Sequence, residues 1–187
     1  GLVRVGKVCV DMSKRRLEAP GKINLASGIL EYVAVGEGGK RHESLLWLDV
    51  RPLHFQVGLI LLGLHEGDGS VRLWLRVGGE VRPVEQFVWD REKKAEMPIA
   101  PWKFVGSTVH DGRFIADDTK SLVATVPDPS AILSTTVERG IPYRGELGFE
   151  VHTARTPPVG SDATLIAVVA PGAPPSGDRP LCPEKAK

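Results

Sequence analysis

Val71-Arg72-Leu73-Trp74-Leu75-Arg76-Val77 alternates aliphatic side chains with Arg72, Trp74 and Arg76, and Gly78-Gly79 follows it before Val81 to Trp89 runs back. Successive residues of a strand point to opposite faces, so this alternation predicts a strand with one buried face. A glycine pair between two such runs is a hairpin signal, because tight turns joining antiparallel strands need positive φ. Residues 71–89 are therefore read as a β-hairpin.

Strand-like stretches continue on both sides of it. Toward the N-terminus, Val3, Val5, Val8 and Val10 read as one strand ending in the charged turn Met12 to Leu17, with Pro20-Gly21 as punctuation. Ile23-Asn24-Leu25 and Ile29 to Val35 follow, then a glycine-rich hairpin loop over Gly36 to Lys40 and a returning strand over Leu45 to Val50. Toward the C-terminus, Trp102 to Ser107, Arg113 to Ala116, Leu122 to Val126, Gly148 to Thr153 and Ala163 to Val169 read as strands. Pro129 to Leu133 reads as a helical turn capped by Asp128.

One helix interrupts the series, over Leu53 to Leu64. Pro52 suits its entry, and Leu53, Val57, Ile60, Leu61 and Leu64 share a face. Many short strands and one short helix predict a mainly β fold, a β-sandwich or an open barrel, with an α+β sheet as the alternative. The domain is assigned to residues 1–170, and residues 171–187 form a Pro/Gly-rich tail expected to be loose.

The charge balance, 24 Lys and Arg against 23 Asp and Glu, does not favour nucleic acid. The longest apolar run, Val57 to Leu64, falls far short of the roughly 20 residues of a spanning helix, so no transmembrane segment is expected. Gly1 in place of Met points either to a removed segment or to a boundary of the piece. Cys9 and Cys182 are the only cysteines. That count excludes an iron–sulfur cluster, and no haem attachment motif is present. The two pair as a disulfide in an oxidising compartment or stay thiols in a reducing one, and both readings stand.

Lys40-Arg41-His42-Glu43-Ser44 is the sharpest local constellation, offering an acid/base pair, a metal ligand or a polar junction. At the start of a strand, His42 and Glu43 would point to opposite faces, which favours the structural reading. Glu31 with Glu43, and Asp117 with Asp118, are possible carboxylate pairs and receive no catalytic role. Ser107, His110 and Asp117-Asp118 can be drawn as a triad, but no nucleophile-elbow motif is present. No HxH or HExxH spacing occurs, so no metal is expected. Trp74 and Trp89, on opposite arms of the expected hairpin, together with Arg72, Arg76 and the tail prolines Pro174 and Pro175, form a candidate interaction surface.

From Val8 to about Pro171 the chain resembles the YdjY-domain family of exported bacterial proteins. The resemblance lies in the order of short motifs: Pro20-Gly21-Lys22-Ile23-Asn24, Gly28-Ile29-Leu30-Glu31-Tyr32, Gly39 to Leu46, Leu61-Leu62-Gly63-Leu64, Pro83-Val84-Glu85 with Trp89, Trp102 to Ser107, and Pro157 to Ser161. It implies an exported, periplasmic location. The resulting expectation is a non-catalytic binding or structural protein without a cofactor, an accessory subunit docking on a protein partner or an envelope-associated complex. The alternative is a small-ligand or metal-binding domain centred on His42 and Glu43.

Overall fold

The structure is a computed structural model that describes residues 1–177 and 179–183. Its strands are β1 (Leu2–Val5), β2 (Val8–Asp11), β3 (Arg16–Ile23), β4 (Ile29–Leu30), β5 (Tyr32–Gly36), β6 (Ser44–Leu48), β7 (Val71–Val77), β8 (Glu80–Pro83) and β9 (Val88–Asp90). They continue as β10 (Ala95–Glu96), β11 (Trp102–Phe104), β12 (Val109–His110), β13 (Arg113–Phe114), β14 (Ser121–Ala124), β15 (Leu133–Thr135), β16 (Phe149–Val151) and β17 (Asp162–Val169). Two helices, α1 (Pro52–Leu61) and α2 (Ile115–Thr119), complete the set.

The mainly β architecture is present, as a barrel rather than a sandwich, and the barrel closes. Its eight strands run β3-β17-β7-β11-β15-β14-β5-β6, and β6 pairs back onto β3. Closure happens at Pro20-Gly21, which lies inside an eight-residue strand and does not end one. Before that point the free edge of β3 pairs with β2, through Leu17↔Val10 and Glu18↔Cys9. After it the same edge pairs with β6, through Gly21↔Leu48 and Ile23↔Leu46. Proline has no N–H to leave unpaired at the switch. Only glycine lets β6 approach so closely, since a Cβ on residue 21 would lie 2.1 Å from the Trp47 carbonyl oxygen.

Several boundaries differ from the sequence reading. The first strand is a hairpin, β1 with β2, because Gly6 adopts φ +60. The return arm of the 71–89 hairpin is cut at Pro83, and β9 joins a separate sheet in the order β10-β9-β16-β4. Residues 36–43 do not make a hairpin either, since β5 and β6 are parallel, with Tyr32↔Ser44 and Gly36↔Leu48. Ile115 opens α2 where a strand was expected, and Pro129 to Leu133 forms no helix: Asp128 holds Ser130 in a turn that leads into β15.

Helix α1 ends at Leu61, because Gly63 turns into the left-handed region and its amide bonds the Ile60 carbonyl. Its inward face is Phe55, Gly58, Leu59 and Leu62, while Ile60 and Leu61 are exposed. Gly58 sets that face, since a Cβ there would meet Leu17 Cδ1 at 2.5 Å and the Val10 side chain at 3.3 Å. Val8, Val10 and Leu17 thus pack toward the helix and the core, leaving Cys9, Arg16 and Glu18 on the opposite, outer face of the sheet.

Candidate functional site

The His42–Glu43–Ser44 junction is not extended. Arg41–Glu43 forms a 3-10 turn, and only Ser44 begins β6. The turn brings the neighbouring side chains together, with His42 Nε2 3.3 Å from Glu43 Oε1. Asn24 clamps the turn by donating its amide to the Arg41 and Ser44 carbonyls, and it accepts from Arg41 Nε at 2.9 Å. Ser44 is spent inside the fold, donating to the Leu46 carbonyl at 2.7 Å.

Glu43 gathers two partners, Glu31, which the sequence offers as a paired carboxylate, and Tyr143, which it does not announce. The Tyr143 hydroxyl donates to Glu43 Oε1 at 2.7 Å, and the Glu31 carboxyl lies within hydrogen-bonding range. Burial and the Glu43 carboxylate hold Glu31 above the ordinary carboxyl range. Burial also acts to raise Glu43, but hydrogen bonds from Tyr143 and Glu31 and the nearby His42 and Lys40 outweigh it and leave Glu43 lowered. Burial and Glu43 push the Tyr143 hydroxyl up to about 12. The arrangement is a carboxyl pair shifted in opposite directions, Glu31 up and Glu43 down, beside an exposed imidazole. Among the described residues no group of three or more His, Cys, Asp or Glu side chains could hold a metal ion.

A second polar constellation lies on the outer face of β3, β17 and β7. The register aligns Glu18 with Ile166 and Ile166 with Trp74, while Arg16 lies across Val168 from Arg72. Glu18 is buried and receives four hydrogen bonds: from Arg16, from Arg76 Nη1 and Nη2, and from the Leu181 amide at 2.9 Å. Burial pushes Glu18 up, and the bonds from Arg76 and Leu181 more than offset it, so the carboxyl sits below its ordinary range. Arg76 also donates to the Arg179 carbonyl, and a disulfide joins Cys9 to Cys182 with the Cα atoms 6.1 Å apart. The described part of the tail expected to be loose is thus laid against this face as a strap, fixed at Arg179, Leu181 and Cys182, while residues 178 and 184–187 lie outside the described residues.

This geometry reorganises the expected interaction surface. Arg72, Trp74 and Arg76 do share one face, and the strap reaches it at Arg76. Pro175 is half-buried and Pro174 exposed. Trp89 belongs to β9, and its ring lies 5.0 Å from that of His152, so the aromatic patch with Trp74 does not form as expected. Of the four tryptophans only Trp102 is fully buried, donating to Glu85 at 3.1 Å.

The triad on paper dissolves. Ser107 Oγ accepts the Ala116 amide, and Asp117 caps α1 by accepting from the Leu53 amide and pairing with Arg51. His110 is exposed beside Asp111. A cleft of about 380 Å³ opens between the tip of the β7–β8 hairpin and the loop after His152, but its arginines, Arg82 and Arg155, are already paired with Glu80 and Glu96. Neither it nor a cleft of about 340 Å³ beside Trp89 is lined by His42 or Glu43.

Compared with known protein families, with curated proteins and with solved structures, the chain matches none.

Proposed function

We propose that the protein is an exported, non-catalytic binding protein, an accessory subunit that docks on a protein partner, as the YdjY-like motif order implies. The observation that carries this reading is the β1–β2 hairpin. Among the described residues β1 pairs only with β2, so its outer edge presents unpaired backbone groups. Leu2 is 54% exposed and Val3 and Met12 each 40%. Open apolar edges are the usual template for adding a partner's strand.

The hairpin is tied to the domain at its turn. Lys7 pairs with Asp49 at 2.5 Å, and Gly6 packs against the His54 ring, where a Cβ would lie 2.2 Å from Nδ1. The Cys9–Cys182 disulfide supports the location, because such bonds persist in oxidising compartments.

The test is affinity purification from the producing cell's envelope in mild detergent, comparing the native chain with Leu2→Lys/Val3→Lys. A stoichiometric partner that is lost from the variant, with the melting curve unchanged, supports the reading. A native protein recovered alone counts against it.

The Glu31–Glu43–Tyr143 cluster favours a second reading, a site for a small hydroxylated or cationic ligand. A carboxyl pair beside a tyrosine hydroxyl can offer both acceptors and a donor to such a group. A ligand screen by thermal shift, repeated on Glu31→Gln, separates this reading from docking.

A further inference from the structure

We propose that the outer face of β3, β17 and β7 is a second docking surface, for an extended acidic segment of a partner protein, kept covered by the strap while the Cys9–Cys182 disulfide is intact. The inference rests on reading the chain as an exported docking protein.

The face is rich in donors and poor in acceptors. Arg16, Arg72 and Arg76 line it, and Arg4 joins them opposite Cys9 on β1. Three carboxylates share the face, and all are already committed. Glu18 is saturated by its four bonds, Asp11 accepts from Ser13 and the Lys14 amide, and Asp162 accepts from Lys22. Among the described residues, Arg16 Nε, Arg72 Nε, Arg76 Nε and Trp74 Nε1 are buried without an acceptor. Arg16 as a whole is only 6% exposed. A buried N–H without a partner costs about 1–3 kcal/mol, so this face favours any chain that brings oxygens to it.

The strap shows the binding mode. Its described residues form neither strand nor helix, and among them the Arg179 carbonyl accepts from Arg76 at 3.3 Å. An extended segment carrying several Asp or Glu side chains would give the arginines charge-assisted, bidentate partners. Its prolines would pack on Trp74 as proline-rich ligands pack on aromatic grooves.

Opening the strap requires a reductant of the dithiol class. Its thiolate attacks the half-buried Cys182 sulfur, forming a mixed disulfide while Cys9, which is 5% exposed, leaves as a thiolate and takes up a proton. The second thiol of the reductant then displaces Cys182 as a thiolate, which is protonated in turn. Two electrons pass from the dithiol, which becomes a disulfide, to the two cysteines.

The experiment uses a fluorescein-labelled ten-residue peptide of alternating Asp and Pro as probe, read by anisotropy at low salt. The oxidised chain, the chain reduced with dithiothreitol and Cys182→Ser are compared, each checked for folding by near-ultraviolet circular dichroism. The expected result is at least tenfold tighter binding to the reduced and Cys182→Ser forms, lost when Asn replaces Asp in the peptide. Binding should also be lost in Cys182→Ser carrying Arg72→Gln and Trp74→Phe, which leave the Glu18 bonds in place. Equal affinity for the oxidised and opened forms overturns the proposal. So does binding that survives those substitutions, self-association of the opened chain in place of peptide binding, or loss of fold on opening. Partner capture by the oxidised chain through β1 is independent of all these outcomes.

Discussion

The Asp90–Arg139 pair and the Arg16–Glu18–Arg76 network are both buried ion clusters, yet they are finished to different degrees. Asp90, fully buried on β9, accepts from Arg139 Nε and Nη2 on one oxygen and from the Glu92 and Lys93 amides on the other. Arg139 Nη1 completes its own set on the Glu138 carbonyl. Every polar atom of that pair is used, as a structural pair requires to offset its desolvation. On the outer face of β3 and β7 the carboxylate is equally well served, but the arginines keep unpartnered Nε atoms beside an unpartnered indole N–H. Saturation marks a cluster that locks two elements together. A surplus of donors marks a face with room for another chain.

The comparison can be broken first at its saturated side. Arg139→Met leaves Asp90 charged and buried, and we expect a loss of roughly 3–5 kcal/mol by urea denaturation. A loss under 1 kcal/mol would show that water reaches the pair. Replacing Cys9 and Cys182 together with Ser removes a cross-link spanning 173 residues of sequence and should cost about 2–4 kcal/mol, read by the same method. Glu18→Gln, on the donor-rich side, should cost about 1–3 kcal/mol in the oxidised chain and less in the chain without the disulfide, because an open strap lets water serve the arginines. Equal costs in both backgrounds would make the two clusters alike.

Titration sharpens the same contrast. Burial acts to raise Asp90, but the Arg139 bonds outweigh it, and Glu18 behaves similarly, so both carboxyls lie below the ordinary range of about 4. Their contribution to stability is present above that range and is lost as pH falls through their folded values. Glu85 has the opposite sign. Buried with its Oε2 unpartnered, it is held above the ordinary range by desolvation. Its contribution is present at acid pH and lost as pH rises from about 4.3 through its folded value. Glu85→Gln should flatten that alkaline limb in melting temperatures taken from pH 4 to 8, and an unchanged limb would contradict the assignment. The smallest effect belongs to exposed His42, where Ala should change stability by less than about 0.5 kcal/mol.

The sequence was most legible where local pattern and tertiary role coincide. The alternation over 71–77 is β7, buried at every odd position. Pattern failed where long-range pairing decides. Pro20-Gly21 looks like punctuation, but it is the point where β3 changes partners to close the barrel. The Gly36 to Lys40 loop looks like a hairpin, yet it connects parallel strands. Periodicity also chose the wrong face of α1, because it weighs large apolar side chains and misses a glycine that admits a neighbouring strand.

The candidate sites divide in the same way. His42 and Glu43 drew attention as neighbours, and Glu31 was visible as a carboxylate, but Tyr143 lies a hundred residues from Glu43 and carries no local signal. Arg72, Trp74 and Arg76 could be placed on one face from alternation alone. That the tail reaches this face at Arg76 depends on Cys182 reaching Cys9, for which sequence spacing leaves both redox states open.

The most direct measurement is amide hydrogen exchange on the oxidised and the reduced chain. The expected result is that reduction speeds exchange at Gly172, Leu181 and Cys182 while β3, β17 and β7 keep their protection. Loss of protection in those three strands would make the strap a structural part of the barrel, and unchanged protection at Leu181 would mean that the disulfide does not hold it. Either result contradicts a covered docking face.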